Sequence, residues 1–292
     1  MYGARRYEYE GGQKIVITWR MLYEHCLKSS LDNLIICDTK IVNYLTSNMI
    51  RVEICRRPDY RPAGPNEEFI VPLLRQHIER ALATYAAPAP PQGRVLDVGC
   101  GRQPFRQILE AIGYSYIGMD TQQNPEGTAD VICPIDEPLP VELTGRGSFD
   151  FILCTEVMEH VADWDVAFKN LVSLLTQGGR LLITCPYFYH LHEEPYDFWR
   201  PTLHALNYFA SRVGLKTLQQ EAAGNAWDIL GTILGCSHPV PASSRLLDRG
   251  VTRLVRLSHR WLFEALRRRH LQRMTQLQST LYMSNIVVFE RQ

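Results

Sequence analysis

The chain has 292 residues, 46% of them apolar, with 31 basic and 31 acidic side chains and a formal net charge of +0. This is the composition of a soluble globular protein with room for one large domain plus appendages, and its neutrality argues against a general nucleic-acid binder. No apolar run reaches the roughly 20 residues that span a bilayer, and Met1-Tyr-Gly-Ala-Arg-Arg6 is not followed by an apolar signal segment, so a cytoplasmic protein is expected.

Residues 1–65 read as an appendage. Lys14–Tyr23 fits a strand or a helix, and Arg56–Pro65 is a breaker-rich linker. We expect this region to form a cap, mainly helical, over the functional face. From Glu67 to Tyr85, Phe69, Val71, Leu73, Leu74, Ile78 and Leu82 recur at helical spacing. After Ala86–Gly93, strands and helices alternate. Strands are expected at Arg94–Val98, Tyr116–Asp120, Ala129–Cys133, Phe149–Cys154 and Arg180–Cys185, with helices near Pro104–Ile112 and Asp163–Gln177. Gly178-Gly179 reads as the stop of the second helix. Such alternation with apolar strands implies a parallel sheet covered on both faces. Leu215–Glu221 and Tyr282–Glu290 add strands, and residues 222–279 between them read as a helical insertion. The eight cysteines form no Cys-x-x-Cys pair and no zinc-finger spacing with histidine, so reduced thiols and no metal site are expected.

The most informative stretch is Arg94-Val-Leu-Asp-Val-Gly-Cys-Gly-Arg102. Gly99 and Gly101 let the backbone approach a ligand closely, because no Cβ intervenes. A nicotinamide dinucleotide site would add a third glycine, and Gly99-Cys-Gly-Arg-Gln-Pro104 lacks it. Asp120 ends the next strand. Ser148–His160 and Leu175–Pro186 continue the pattern. Together these four segments resemble the class I S-adenosylmethionine-dependent methyltransferases, over about residues 66–221 plus the final strand. Within that family, His192–Thr202 resembles a segment of enzymes encoded with bacterial polysaccharide and natural-product genes.

The resemblance implies a Rossmann-like α/β fold: a seven-stranded, mostly parallel sheet with helices on both faces, its last strand antiparallel. The domains would be a cap at 1–65, a core at 66–221 and 280–292, and a basic helical insertion at 222–279. It implies S-adenosylmethionine as cofactor and S-adenosylhomocysteine as product. Asp97, Gly99, Cys100 and Gly101 would meet the methionine half. Asp120 would accept the two ribose hydroxyls, and Thr121 next to it belongs to the cofactor-binding set. Thr155 and Glu156 would sit at the crevice lip. Family members often carry an acid after the third strand to meet the adenine amine. Pro134 takes that place here, leaving Asp136 or the backbone of Ile135 for that contact.

Tyr187–Arg200 leaves the fifth core strand where ligand loops of such sheets sit. Tyr187, Tyr189, Tyr196 and Trp199 are expected to wall the acceptor. Arg200 would clamp an anion or pin the loop through Asp197. His190 or His192 would take a hydroxyl proton during methyl transfer, and Asp197 completes the candidate catalytic set. Cys185 ends a strand and reads as packed rather than nucleophilic, and no Asn-Pro-Pro-Tyr follows the fourth strand, so base methylation is not expected. In the insertion, Arg249, Arg253, Arg256 and Arg260 fall at helical spacing, interleaved with leucines. The span 245–273 could pack on the domain or meet a membrane surface or an anionic carrier. The expected reaction is O-methylation of a hydroxyl or carboxylate on a small-molecule, saccharide or peptide acceptor. N-methylation, or a non-catalytic cofactor-binding subunit, are the alternatives.

Overall fold

The computed structural model describes residues 60–292 except 145–148, 242, 244–245 and 270–279; before residue 60 it describes only Arg5–Glu8 and Lys14–Ile17. Those two short segments, β1 and β2, pair antiparallel, with Arg5 opposite Ile17. The helical part of the expected cap lies outside the described residues. The chain divides into two units, Met1–Glu53 and Ile54–Gln292.

The second unit is built on seven strands: β3 (Arg94–Val98), β4 (Ser115–Asp120), β5 (Val131–Ile132), β6 (Phe149–Thr155), β7 (Leu175–Pro186), β8 (Leu215–Ala223) and β9 (Ser284–Arg291). Their order is β5-β4-β3-β6-β7-β9-β8. Pairing is parallel from β5 to β7, and β9 runs antiparallel between β7 and β8. This is the expected Rossmann-like class I methyltransferase topology.

The period of two along the strands divides the core. Leu96, Val98, Ile152, Cys154, Leu181, Ile183, Val287 and Phe289 face a cluster with Trp164, Phe168 and Leu171 of α4 (Trp164–Leu174) and Leu206 of α5 (Leu203–Arg212). Val95, Phe151, Leu153, Leu182, Ile286 and Val288 face the opposite cluster. It is completed by Ile70, Leu74 and Ile78 of α1 (Ile70–Ala81) and Leu109 of α2 (Arg106–Ala111). Strands buried on both faces explain the unbroken apolar runs of the sequence.

Several boundaries differ from expectation. The helix expected to reach Tyr85 ends at Ala81 and runs on as a π-helical turn, Leu82–Ala86. Helix α4 stops at Leu174, because Leu175 turns extended and pairs with Phe149. Gly178-Gly179 therefore lies inside β7, beside a register shift between Phe149 and Phe151, rather than capping a helix. Glu159-His160 belong to a 3-10 turn, Met158–His160, and Asp163 caps α4 by accepting from Val166 N at 3.0 Å. A short helix α3 spans Val141–Thr144; among the described residues the other helices are α6 (Ala226–Gly235), with a capping box of Asn225 and Asp228, and α7 (Leu246–Arg267).

Phe151 is fully buried at the centre of the sheet. Phe151→Ala should destabilise the protein by about 3–5 kcal/mol through lost burial and a residual cavity. Urea denaturation monitored by fluorescence would show this as a lower midpoint at unchanged slope.

Candidate active site

The chain builds β4 and β5 on one side of β3, then crosses to place β6 and β7 on the other. Ligand crevices of open α/β sheets form at such a reversal, outside the carboxyl ends of the strands. Here a cavity of about 280 Å³ opens there, walled by the residues after β3, β4 and β6, by α1, and by the loop after β7.

Gly99 has φ +67°, and a Cβ on it would lie 2.2 Å from Val157 Cγ2, so the turn admits no side chain. Gly101 N donates to Asp120 Oδ2 at 2.9 Å. Thr121 N donates to Oδ1 of the same carboxylate at 2.7 Å. Asp120 thus fixes the glycine turn as well as facing the cavity. Asn124, almost fully buried, donates to Gly101 O at 2.9 Å and ties the following loop to the same turn.

The cavity wall is acidic. Asp97 is buried and accepts a 2.6 Å hydrogen bond from Tyr116. Burial pushes its carboxyl up to about 7, and the charge of Asp120 adds to that. Glu156 has φ +52° and accepts from Ser284 Oγ at 3.2 Å; burial raises it to about 7 as well. Cys100 lines the cavity with its thiol pushed up to about 12 by burial and by Asp97. Thr155 and Thr121 complete this part of the wall.

A cationic ligand suits such a wall, since it would stabilise carboxylates that burial holds partly protonated. S-adenosylmethionine fits on these grounds. Its ammonium and sulfonium would face Asp97 and Glu156, and its ribose hydroxyls would face Asp120. Arg102 lines the same cavity; its guanidinium pairs with Glu126, and its buried Nε has no hydrogen-bond partner among the described residues.

The loop after β7 is held by Arg200. Its guanidinium grips Asp197 at 2.6 and 2.7 Å and donates to the carbonyls of Tyr189, His190 and Trp199. Burial raises the Asp197 carboxyl, but Arg200 and the His192 N–H outweigh it and hold it at about 2. His192 N donates to Asp197 Oδ2 at 2.9 Å, and His192 Nδ1 lies 3.4 Å from the same oxygen. Burial, and then the neighbouring His160, lower the His192 imidazole below its usual value. His192 is therefore neutral at pH 7, placed by Asp197.

Of the expected acceptor-side residues, Tyr189 and His192 reach the cavity wall. The others do not line it, for reasons visible in their contacts. Tyr187 stacks on Tyr282 at 4.3 Å. Tyr196 is exposed, and its carbonyl accepts from His160 Nδ1. Trp199 Nε1 donates to Val161 O. Asp197 and Arg200 engage each other and the loop backbone. His190 Nδ1 faces Leu191 O, and its Nε2 lies 3.3 Å from Asn66. Ile135 is buried with its carbonyl accepting from Asn170, and Asp136 accepts from Asp163 N at 3.2 Å, so neither lines the cavity.

Several wall residues carried no functional signal in the sequence. Tyr60, Glu67 and Val71 arrive from the segment before and within α1, and Tyr60 packs on Phe105 at 5.0 Å. Glu159 is fully buried beneath the cavity. Among the described residues its Oε1 has no hydrogen-bond partner, and it lies 3.8 Å from His160 Nε2 and 4.0 Å from His192 Nε2. Burial, then the charge of Glu156, push its carboxyl well above the usual range. The three ligand atoms lie within 4.8 Å of one another, a carboxylate-plus-imidazole set that could hold a divalent cation. Cys185 is buried with a strongly raised thiol, as a packed residue should be.

The family model described as a methyltransferase domain matches residues 71–224, more than half of the chain. The chain therefore belongs to the class I S-adenosylmethionine-dependent methyltransferases. Among curated proteins, it is 29% identical over 138 residues to the mitochondrial ubiquinone biosynthesis O-methyltransferase of Bos taurus, a match covering 43% of this chain and 37% of the relative. Against the ubiquinone biosynthesis O-methyltransferase of Bradyrhizobium diazoefficiens it is 31% identical over 102 residues, covering 31% and 39%. The matches thus span well under half the length of these relatives. Among solved structures, a SAM dependent methyltransferase from Archaeoglobus fulgidus superposes with a TM-score of 0.45 at 16% identity, covering 74% of this chain and 94% of that one. Phosphoethanolamine N-methyltransferase 2 of Haemonchus contortus gives 0.43 at 19%, covering 74% and 52%.

Two predictions test the cofactor half. Asp120→Ala should weaken S-adenosylhomocysteine binding by roughly 1.5–3 kcal/mol, as charge-assisted hydrogen bonds are lost; an unchanged dissociation constant in calorimetry would remove Asp120 from the ribose site. Asp97 and Glu156 keep their protons below about pH 7 in the free protein. A cationic ligand favours the ionised forms, so S-adenosylmethionine should bind more tightly as pH rises from 6 to 8. Binding near pH 7 should release protons, read as a dependence of the binding enthalpy on buffer ionisation heat.

Proposed function

We propose that this protein transfers a methyl group from S-adenosylmethionine to an oxygen of a small acceptor, most readily a hydroxyl. The observation that carries this reading is His192, a neutral imidazole on the cavity wall next to the acidic cofactor half. Its Nδ1 lies 3.2 Å from His190 O and 3.4 Å from Asp197 Oδ2, two acceptors nearer than the Arg200 guanidinium at 3.5 Å, which favours the proton on Nδ1 and leaves Nε2 as the proton acceptor.

When bound, S-adenosylmethionine supplies a methyl group already activated on a sulfonium, so the chain has no leaving group to activate. The residues have three tasks. The Gly99–Gly101 turn, Asp97 and Asp120 orient the donor. Tyr60, Val71, Leu74 and Tyr189 wall off water and hold the acceptor. His192 Nε2 receives the hydroxyl proton, and the resulting imidazolium is stabilised by Asp197, which Arg200 keeps ionised. Similarity to ubiquinone biosynthesis O-methyltransferases supports oxygen as the methylated atom. A natural product, a modified peptide or a saccharide would each present such a hydroxyl.

His192→Ala should lower turnover roughly 10²–10⁴-fold, while S-adenosylhomocysteine affinity stays within about two-fold of wild type. His190→Ala, off the cavity wall, should have the smaller effect. Because burial lowers the His192 pKa from 6.5, the acid limb of the rate profile should fall below pH 6.5, where His192 gains a proton and stops acting as a base. The assay is release of S-adenosylhomocysteine with a panel of small phenols, hydroxy acids, sugars and amines. Methylation of amines alone, with no hydroxyl compound turned over, would assign the acceptor atom to nitrogen instead.

A further inference from the structure

Helix α7, residues Leu246–Arg267, lies outside the methyltransferase-domain match and carries three distinct faces. One face packs on the domain. Thr252 and Leu266 are buried, His259 Nε2 reaches Leu234 O at 2.9 Å at the end of α6, and Phe263 meets Phe69 edge-on at 5.4 Å. A second face carries Arg249, Arg253, Arg256 and Arg260, all exposed. The third, bordering the arginines, is an apolar stripe left in solvent. Leu254 is 66% exposed, Leu257 59% and Trp261 71%, with Leu246, Leu247 and Val251 continuing it towards the N-terminus.

An ordinary surface helix hides its apolar stripe and shows its charges. Helix α7 shows both: it packs through the narrow face of Thr252, His259, Phe263 and Leu266 and leaves the large apolar one uncovered. The stripe runs along most of a helix that is 22 residues long, which exceeds the scatter of single apolar side chains found on any surface. The charge beside it has one sign. Within the helix the acids are Asp248 and Glu264, and Glu264 is taken up by Arg267 and Arg268. The chain as a whole is neutral, so the positive stripe is a local arrangement. Among the described residues no helix is long and apolar enough to cross a membrane, and a helix of this composition lies in the membrane plane instead.

We propose that α7 docks the protein on an anionic lipid surface. Leu254, Leu257 and Trp261 enter the interface between headgroups and acyl chains, and Arg249, Arg253 and Arg260 pair with lipid phosphates. The stripe of arginines is what selects a charged membrane over a second copy of the chain, because two such stripes would face each other across a self-association. Docking leaves the cavity free, since none of these residues lines it. Phe69, held between Phe263 and Gly231, joins the docking helix to the start of α1, whose Ile70, Val71 and Leu74 form part of the cavity wall. The inference does not depend on the acceptor assigned above.

The test is co-flotation of the full chain with vesicles of phosphatidylcholine containing phosphatidylglycerol, against vesicles of phosphatidylcholine alone. The expected result is binding to the anionic vesicles, weakened by salt, with a blue shift in fluorescence that Trp261→Phe removes. Joint Arg249→Gln, Arg253→Gln and Arg260→Gln should weaken binding roughly a hundred-fold, at about 1 kcal/mol for each cation near the surface. Leu254→Ser with Trp261→Ser should also release the protein from vesicles. Calorimetric titration with S-adenosylhomocysteine should match wild type in both variants, which separates this proposal from the catalytic reading. Absence of wild-type binding to anionic vesicles, or binding indifferent to salt, would overturn it without reference to any variant. So would a concentration-dependent dimer, abolished by Leu254→Ser and Trp261→Ser, in a protein that ignores vesicles; that outcome assigns the stripe to a second copy.

Discussion

The parallel pairing of β6 against β3, after β4 and β5 have been laid down on the other side, is the constraint on which the rest depends. It sends the helices that follow β3 and β6 to opposite faces of the sheet and leaves a gap between the two loops. Every polar residue assigned to the donor follows from that reversal. Asp97 sits within β3, Asp120 ends β4, and Glu156 follows β6. Their side chains converge because the strands do, and the sheet that aligns them is held by two apolar clusters on its faces.

Convergence has an electrostatic consequence. Three carboxylates and a fully buried fourth, Glu159, share one region of low polarisability. Burial raises Asp97, Glu156 and Glu159, and the charges of Asp120 and Glu156 raise Asp97 and Glu159 further. The acceptor side solves its own electrostatic problem differently. Arg200 neutralises Asp197 outright and uses its remaining donors on loop carbonyls, so the loop arrives with its histidine already oriented. The two halves of the cavity thus differ in kind: one is left in need of positive charge, the other is internally balanced.

Much of this was legible in the sequence, for reasons that can be traced to particular residues. Strands buried on both faces leave unbroken apolar runs, and Val95-Leu-Asp-Val98 or Phe151-Ile-Leu-Cys154 can hardly be anything else. Gly99, Gly101 and Asp120 were legible because a turn without a Cβ followed by a strand-ending acid has few other uses. What the sequence hid was direction. Tyr187, Tyr196 and Trp199 lie in the expected loop, yet each turns to a neighbour of its own: Tyr282, solvent and Val161. Asp136 is drawn off by the N-terminus of α4. Glu159 sits unremarked within Ser148–His160, and its burial became visible only once Phe198 and Trp199 closed over its carbonyl. The contribution of Tyr60 and Glu67 depends on where the segment before α1 crosses the sheet, and no local pattern encodes that.

The contact between Gly99 and Val157 reaches beyond this one conformation. The two residues come from loops far apart in the chain, yet one side chain occupies the volume that the other would need. Their identities are therefore exchangeable only as a pair: bulk admitted after β3 must be surrendered after β6. Across related chains such positions would drift together, with a larger residue at one accompanied by a smaller residue at the other. Even that exchange is restricted, because φ at position 99 is positive and penalises any residue with a Cβ. The turn is thus set twice over, once by its own backbone and once by a distant valine, which leaves it far less room to vary than its position in a loop would suggest.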